Sequence, residues 1–174
     1  FNTKIHFSED LLFFIEYLNY VDNVRLSDKA LYEYIDVGNS LSYAYHSFES
    51  EIECYYEMIK ATNSLKKKFE VKDEIYIQKS IGHFLSRSIN SLYRPKYRKK
   101  AKFRLQFLQS IKSKEDFDRL YLWNENNLFQ KIMIKFLENK KYKLADIYLK
   151  TFFSIRYNFE PLWIRIRRFV IKKL

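Results

Sequence analysis

In a chain of 174 residues, Gly38 and Gly82 are the only glycines and Pro95 and Pro161 the only prolines. This scarcity constrains the fold more than any motif does. Tight hairpins draw on glycine for backbone with positive φ, and phosphate-cradling loops draw on several glycines at once. Hairpin-rich β folds and glycine-rich nucleotide loops are therefore disfavoured. Long helices joined by short connections are favoured.

The apolar spacing agrees. Leu41, Tyr45, Phe48, Ile52, Tyr55 and Ile59 recur at intervals of four and three, which predicts a helix opened by Ser40. Glu49, Glu51, Glu53 and Glu57 are expected off that stripe, in solvent. A second helix is predicted over 73–93, with Ile77, Ile81, Phe84, Leu85, Ile89 and Leu92 on one face, ending before Pro95. Further helices are predicted near 97–112, 115–122, 126–138, 141–157 and 161–174. At the start, Leu11, Phe14, Ile15 and Leu18 predict a helix over 10–20 with Ser8 as its cap. Short extended segments are expected at 24–26 and 30–35, with a turn at Asp36-Val-Gly-Asn39. The fold class expected is mainly α, a helical bundle over 40–174, preceded by a short α/β segment over 1–39.

Net charge is +11, but unevenly placed. Residues 1–60 hold 11 acids and 4 bases; residues 61–174 hold 10 acids and 28 bases. A basic surface of this kind calls for an anionic partner: lipid headgroups, nucleic acid or a phosphorylated substrate. Cys54 is the single cysteine, so the chain has no intrachain disulfide and no cysteine metal cluster. A buried thiol on a helix face is the expected role. No apolar run nears the ~20 residues of a spanning helix, and residues 1–10 lack a basic segment ahead of an apolar one. A cytoplasmic chain is expected. It begins with Phe1 rather than Met, which points to a fragment or a processed chain.

Ser8-Glu9-Asp10 follows a short apolar stretch and opens an apolar helix. Acids in a first turn stabilise the positive end of the helix dipole, and that alone would explain them. A carboxylate held there is also a natural general base. The order of segments around it favours chemistry. Ile5-His-Phe-Ser-Glu-Asp10, the apolar helix, Val24-Arg-Leu26, Leu31-Tyr32-Glu33-Tyr34 and Ser40-Leu-Ser42 follow in series. Over roughly residues 1–45 this series resembles the C-terminal part of the catalytic domain of bacterial family 2 glycosyltransferases, inverting enzymes of the GT-A type.

The resemblance implies that residues 1–39 are the edge of a GT-A catalytic domain. It assigns the general base to Asp10 and makes Glu9 an orienting or acceptor-contacting group; His6, close to that base in the sequence, is expected to touch the acceptor. It implies a nucleotide-sugar donor and a divalent metal, Mg or Mn, in the complete enzyme. It also implies a saccharide or lipid-linked acceptor, used in building a bacterial surface polysaccharide or glycoconjugate. The family's Asp-x-Asp metal motif and nucleotide-binding strands lie upstream of the x-Glu-Asp motif and are not in this sequence. The fragment alone is therefore expected to be inactive and to bind neither metal nor donor. Asp116-Phe117-Asp118 has the Asp-x-Asp form but comes far too late in the order, and Ser113-Lys-Glu-Asp116 there predicts a capping box. His46 and His83 lack a helical partner at metal-ligand spacing.

Two basic segments bear on partners. Arg94 to Lys114 carries nine bases and no acid, interleaved with Phe103, Leu105, Phe107, Leu108 and Ile111. It is either a solvated helix face or an anionic docking surface. Residues 161–174 carry Arg165, Arg167, Arg168, Lys172 and Lys173 with Trp163 and no acid. A basic amphipathic helix with a Trp is the pattern of an interfacial membrane binder; docking on the bundle is the alternative. The membrane reading places the protein peripherally at the inner face of the bacterial membrane. Nucleic-acid binding is disfavoured by the acidic first 60 residues and by the lack of a helix-turn-helix, zinc or RNA-binding signature. A non-catalytic nucleic-acid or oligomerisation module, the latter pairing through the Leu41–Ile59 stripe, is the alternative function.

Overall fold

The computed structural model describes residues 4–5, 8–25, 29, 46–72 and 74–159. Seven α-helices lie among them: α1 (Glu9–Leu18), α2 (Phe48–Phe69), α3 (Ile75–Ser91), α4 (Ala101–Ser110), α5 (Lys114–Trp123), α6 (Leu128–Glu138) and α7 (Tyr142–Asn158). A 3-10 turn, Pro95–Tyr97, joins α3 to α4. The helical bundle expected from the periodicity is present.

Ends of helices follow local chemistry. Ser47 Oγ accepts from Ser50 N at 3.3 Å, Ser113 Oγ from Asp116 N at 3.0 Å, and Asn127 Oδ1 from Gln130 N at 3.2 Å. Each satisfies an N–H that the helix cannot pair internally. The glycine shortage appears at the other ends. Glu70 (φ 48°) and Lys140 (φ 57°) hold the left-handed stop position that glycine usually takes.

The helices pack in a continuous series. α2 meets α1 and α3; α3 also meets α5; α5 meets α6; and α7 packs on α4 and α6. Side-chain pairs give directions. Glu51 at the start of α2 pairs with Arg87 late in α3, while Lys66 near the end of α2 meets Glu74 just before α3. The two helices are therefore antiparallel. Lys68 Nζ donates to the carbonyls of Asn19 and Val21, so the far end of α1 lies beside the far end of α2. Phe84, Met58, Ile81, Leu85, Ile89, Leu108, Leu120, Met133, Ile134 and Leu149 are fully buried and form the core. Gly82 sits where α3 touches α5; a Cβ there would lie 2.0 Å from the Arg119 carbonyl oxygen.

Four expectations need correction or bounding. No strand occurs among the described residues, and the α/β segment is not seen. Val24 and Arg25 are irregular and exposed; 26–28, 30–35 and the turn at 36–39 lie outside the described residues. The second correction is the start of α2: its described part opens at Phe48 behind Ser47, and residues 40–45, with the Ser40 cap, lie outside. Third, Glu51 is not in solvent but fully buried. Fourth, α1 docks through Leu12 and Ile15, whereas Leu11 and Phe14 of the expected stripe are exposed. A ten-residue helix with apolar side chains on more than one face does not by itself say which side meets the neighbour.

Candidate functional site

Glu9 and Asp10 form the first turn of α1. Ser8 precedes them in left-handed backbone (φ 56°) and makes no side-chain cap, so it holds the cap position without the expected hydrogen bond. Its carbonyl accepts from Leu12 N at 2.9 Å, closing the first turn. Asp10 is exposed, and its Oδ1 accepts from Leu11 N at 2.7 Å. Glu9 is half-buried and turned towards α2, close enough for its charge to act on the Cys54 thiol. The pair thus splits: one carboxylate faces solvent and the other faces the bundle. An exposed Asp at a helix N-terminus can accept a proton from a substrate hydroxyl brought to it. His6 lies outside the described residues, as do Trp163, Arg165, Arg167, Arg168, Lys172 and Lys173.

The outer side of α1 is unusual. Phe13 and Phe14 are each 52% exposed and Tyr17 53%, beside the exposed Leu11 and Tyr20. A helix with one apolar face on α2 and an aromatic face outward is built to contact material on both sides.

The remaining candidates resolve into structure. Ser113 caps α5 as the Ser113-Lys-Glu-Asp116 pattern predicts. Asp116 accepts from Tyr55 Oη at 2.6 Å and pairs with Arg119 at 3.3 Å, while Asp118 is exposed. Among the described residues no three His, Cys, Asp or Glu side chains are grouped to hold a metal ion. The described residues offer no site for the divalent metal, which the resemblance assigns to the upstream half. Cys54 is fully buried, and burial, then the charge of Glu51, pushes its thiol up to about 12. It is a core thiol, not a nucleophile. His46 is buried, and its carbonyl accepts from Arg94 Nη1 at 3.2 Å. His83 stacks on Trp123 at 4.2 Å; burial, then the charge of Arg87, lowers it to about 4.

Two buried ionic clusters escape a reading by periodicity. Glu51 takes Arg87 on both oxygens, at 2.7 and 2.8 Å, and Arg94 at 2.7 Å. Burial pushes the Glu51 carboxyl up, but the hydrogen bonds and charges of Arg87 and Arg94 outweigh it and hold it below the ordinary range. Asp146 on α7 takes Arg104 bidentately, at 2.6 and 2.8 Å, and Tyr93 Oη at 2.8 Å. It too is held low, against burial, by Arg104 and Tyr93. Position was the available clue: Glu51 stands three residues after Phe48 and four before Tyr55, on the apolar stripe itself.

These clusters divide the basic segment. Arg94 and Arg104 are internal ties, and Lys99 pairs with Glu49. Lys96, Arg98, Lys100, Lys102, Lys112 and Lys114 remain exposed. Arg98 lines a cleft of about 170 Å³ between the Pro95–Tyr97 turn and α7, together with Lys150, Ser154 and Asn158. Among the described residues no helix is long and apolar enough to cross a membrane. No family model, curated protein or solved structure matches this chain.

Proposed function

We propose that this chain is the C-terminal portion of a sugar-nucleotide-dependent inverting glycosyltransferase of the GT-A type, acting in bacterial surface polysaccharide or glycoconjugate synthesis. The ordered series from Ile5 to Ser42 carries the reading, with Glu9-Asp10 at the opening of α1. The exposure of Asp10 and the outward aromatic face of α1 support it. In this reading Leu11, Phe13, Phe14 and Tyr17 meet the upstream half of a catalytic domain, which holds the donor and the divalent metal.

The chemistry asked of this chain is then limited. The acceptor hydroxyl oxygen attacks the anomeric carbon, the bond to the nucleotide diphosphate breaks, and Asp10 takes the hydroxyl proton. Glu9, half-buried against α2, positions the first turn rather than exchanging protons. Alignment of the acceptor over Asp10 supplies much of the rate, as in any bimolecular reaction made effectively unimolecular. The bundle behind α1 and the basic residues 161–174 would hold the enzyme on an anionic membrane, where lipid-linked acceptors reside.

The test is Asp10→Asn in the complete protein, measured as nucleotide diphosphate released from a panel of nucleotide sugars. A fall of about a hundredfold or more is expected, in the range of general-base losses. Folding should be unaffected, because Asp10 is exposed. Near-normal turnover by that variant would remove Asp10 from the catalytic role.

A further inference from the structure

We propose that the cleft between the Pro95–Tyr97 turn and the last two turns of α7 binds a phosphoryl group. The inference is independent of the glycosyltransferase reading and of Asp10. The cleft holds about 170 Å³, enough for a phosphate and part of the body that carries it. Two cations from different elements reach it, Arg98 from the turn and Lys150 from α7, and no Asp or Glu lines it.

The neighbouring carboxylate is already paired within the bundle. Asp146 lies within electrostatic range of Lys150, but its oxygens are taken by Arg104 and Tyr93. Among the described residues Arg98 makes no ion pair. Two like charges facing one concavity raise the local potential and attract an anion into it. Ser154 and Asn158 add polar groups one helical turn apart. Asn158 Nδ2 donates to Ser154 Oγ at 3.2 Å, which leaves the Ser154 hydroxyl proton to donate to a ligand. A guanidinium, an ammonium and a hydroxyl together supply donors for the several acceptor oxygens of a tetrahedral dianion.

The wall behind these groups is aromatic. Tyr93 stacks on Phe153 at 5.8 Å, and Phe153 on Tyr157 at 5.8 Å. Tyr93 is tied to Asp146 through its hydroxyl, so the aromatic column is anchored in the bundle. Tyr157 is half-exposed and gives the ligand's body an apolar surface beside the cations.

The phosphoryl group could belong to a soluble phosphate ester or to a lipid headgroup. Both arms use the whole chain. In the first, inorganic phosphate and pyrophosphate are titrated and followed by calorimetry. In the second, the protein is floated with phosphatidylcholine vesicles holding or lacking phosphatidic acid. The variant is Arg98→Gln/Lys150→Gln, and the charge-matched control is Lys102→Gln/Lys135→Gln, whose lysines are exposed and do not line the cleft. The cleft variant should lose at least tenfold in affinity, with the control within about twofold of wild type. Cleft-dependent binding of the soluble anions identifies a soluble ester. Cleft-dependent flotation without it identifies a headgroup, and either supports the proposal. Equal losses in variant and control, or no binding by wild type in both arms, would overturn it. Both variants change exposed side chains, and unchanged melting temperatures would verify that folding is intact.

Discussion

Glu51 and Arg87 face each other across the α2–α3 interface in a two-pronged ion pair, with Nε to Oε2 at 2.8 Å and Nη2 to Oε1 at 2.7 Å. Arg94 adds a bond at 2.7 Å to the same Oε1. A carboxylate with no exposed surface thus joins α2 to α3 and to the segment that follows it. Such a network fixes which residues of two helices stand opposite each other. Apolar contacts alone leave that register less defined.

Removing the carboxylate leaves guanidinium groups buried without their counter-charge. Glu51→Gln should lower the free energy of unfolding by about 3 kcal/mol, measured by urea titration. The pH dependence has a definite sign. The folded-state value of Glu51 lies below its ordinary 4.5, so its stabilisation is complete above 4.5 and is lost as pH falls through the folded value. Asp146 behaves alike below its ordinary 3.8. The Gln variant should therefore show a shallower stability loss just below pH 4.5, with the Asp146 contribution remaining. An unchanged acid slope would contradict the assignment.

Gly82→Ala tests the closest helix contact. A Cβ would meet the Arg119 carbonyl oxygen at 2.0 Å and the Trp123 Cβ at 3.2 Å. The first of these is backbone, so α3 and α5 must separate. Alanine gains about 1 kcal/mol in helix propensity, which the overlap exceeds. A net loss of about 2–3 kcal/mol is expected in the same titration. A more stable variant would mean that the two helices approach less closely.

His83 supplies a second pH effect, in a different window. Its folded-state value is depressed to about 4 from an ordinary 6.5, so the unfolded chain takes up the proton first. Stability is unaffected above 6.5, declines as pH falls from 6.5 towards 4, and no longer changes from this source below 4. His83→Phe keeps an aromatic ring on Trp123 but cannot titrate. Unfolding curves at about pH 7 and pH 5 should differ for wild type and converge for the variant.

Lys140 occupies the left-handed stop after α6 at φ 57°, with Lys141 N bonded to Phe136 O at 2.8 Å and Lys140 N to Leu137 O at 2.9 Å. This is the arrangement in which glycine relieves the clash of a Cβ with the following carbonyl. Lys140 is exposed, so little packing is lost on truncation. Lys140→Gly should raise stability by about 1 kcal/mol, read as a higher melting temperature. A drop would show that the Lys140 side chain contributes more than its backbone conformation takes away.

The sequence by itself determined the class of fold and most of the helices. Two glycines and two prolines left little but helix, and the apolar spacing located α3 and the four helices after Pro95 to within a few residues, whereas α2 is capped at Ser47 and not at the expected Ser40. The Ser113 cap and the core role of Cys54 were legible for the same reason: each depends on neighbours close in the chain. The fate of the charges was decided only by tertiary structure. Glu51, Arg94 and Arg104 look like solvent residues because a lone charge is too strongly hydrated to bury. They are internal because another helix delivers an opposite charge at hydrogen-bond distance, a fact that no single helix contains. The same holds for the cleft beside α7. Arg98 and Lys150 stand more than fifty residues apart in the sequence, and only the packing of α7 against α4 and the preceding turn makes them one site.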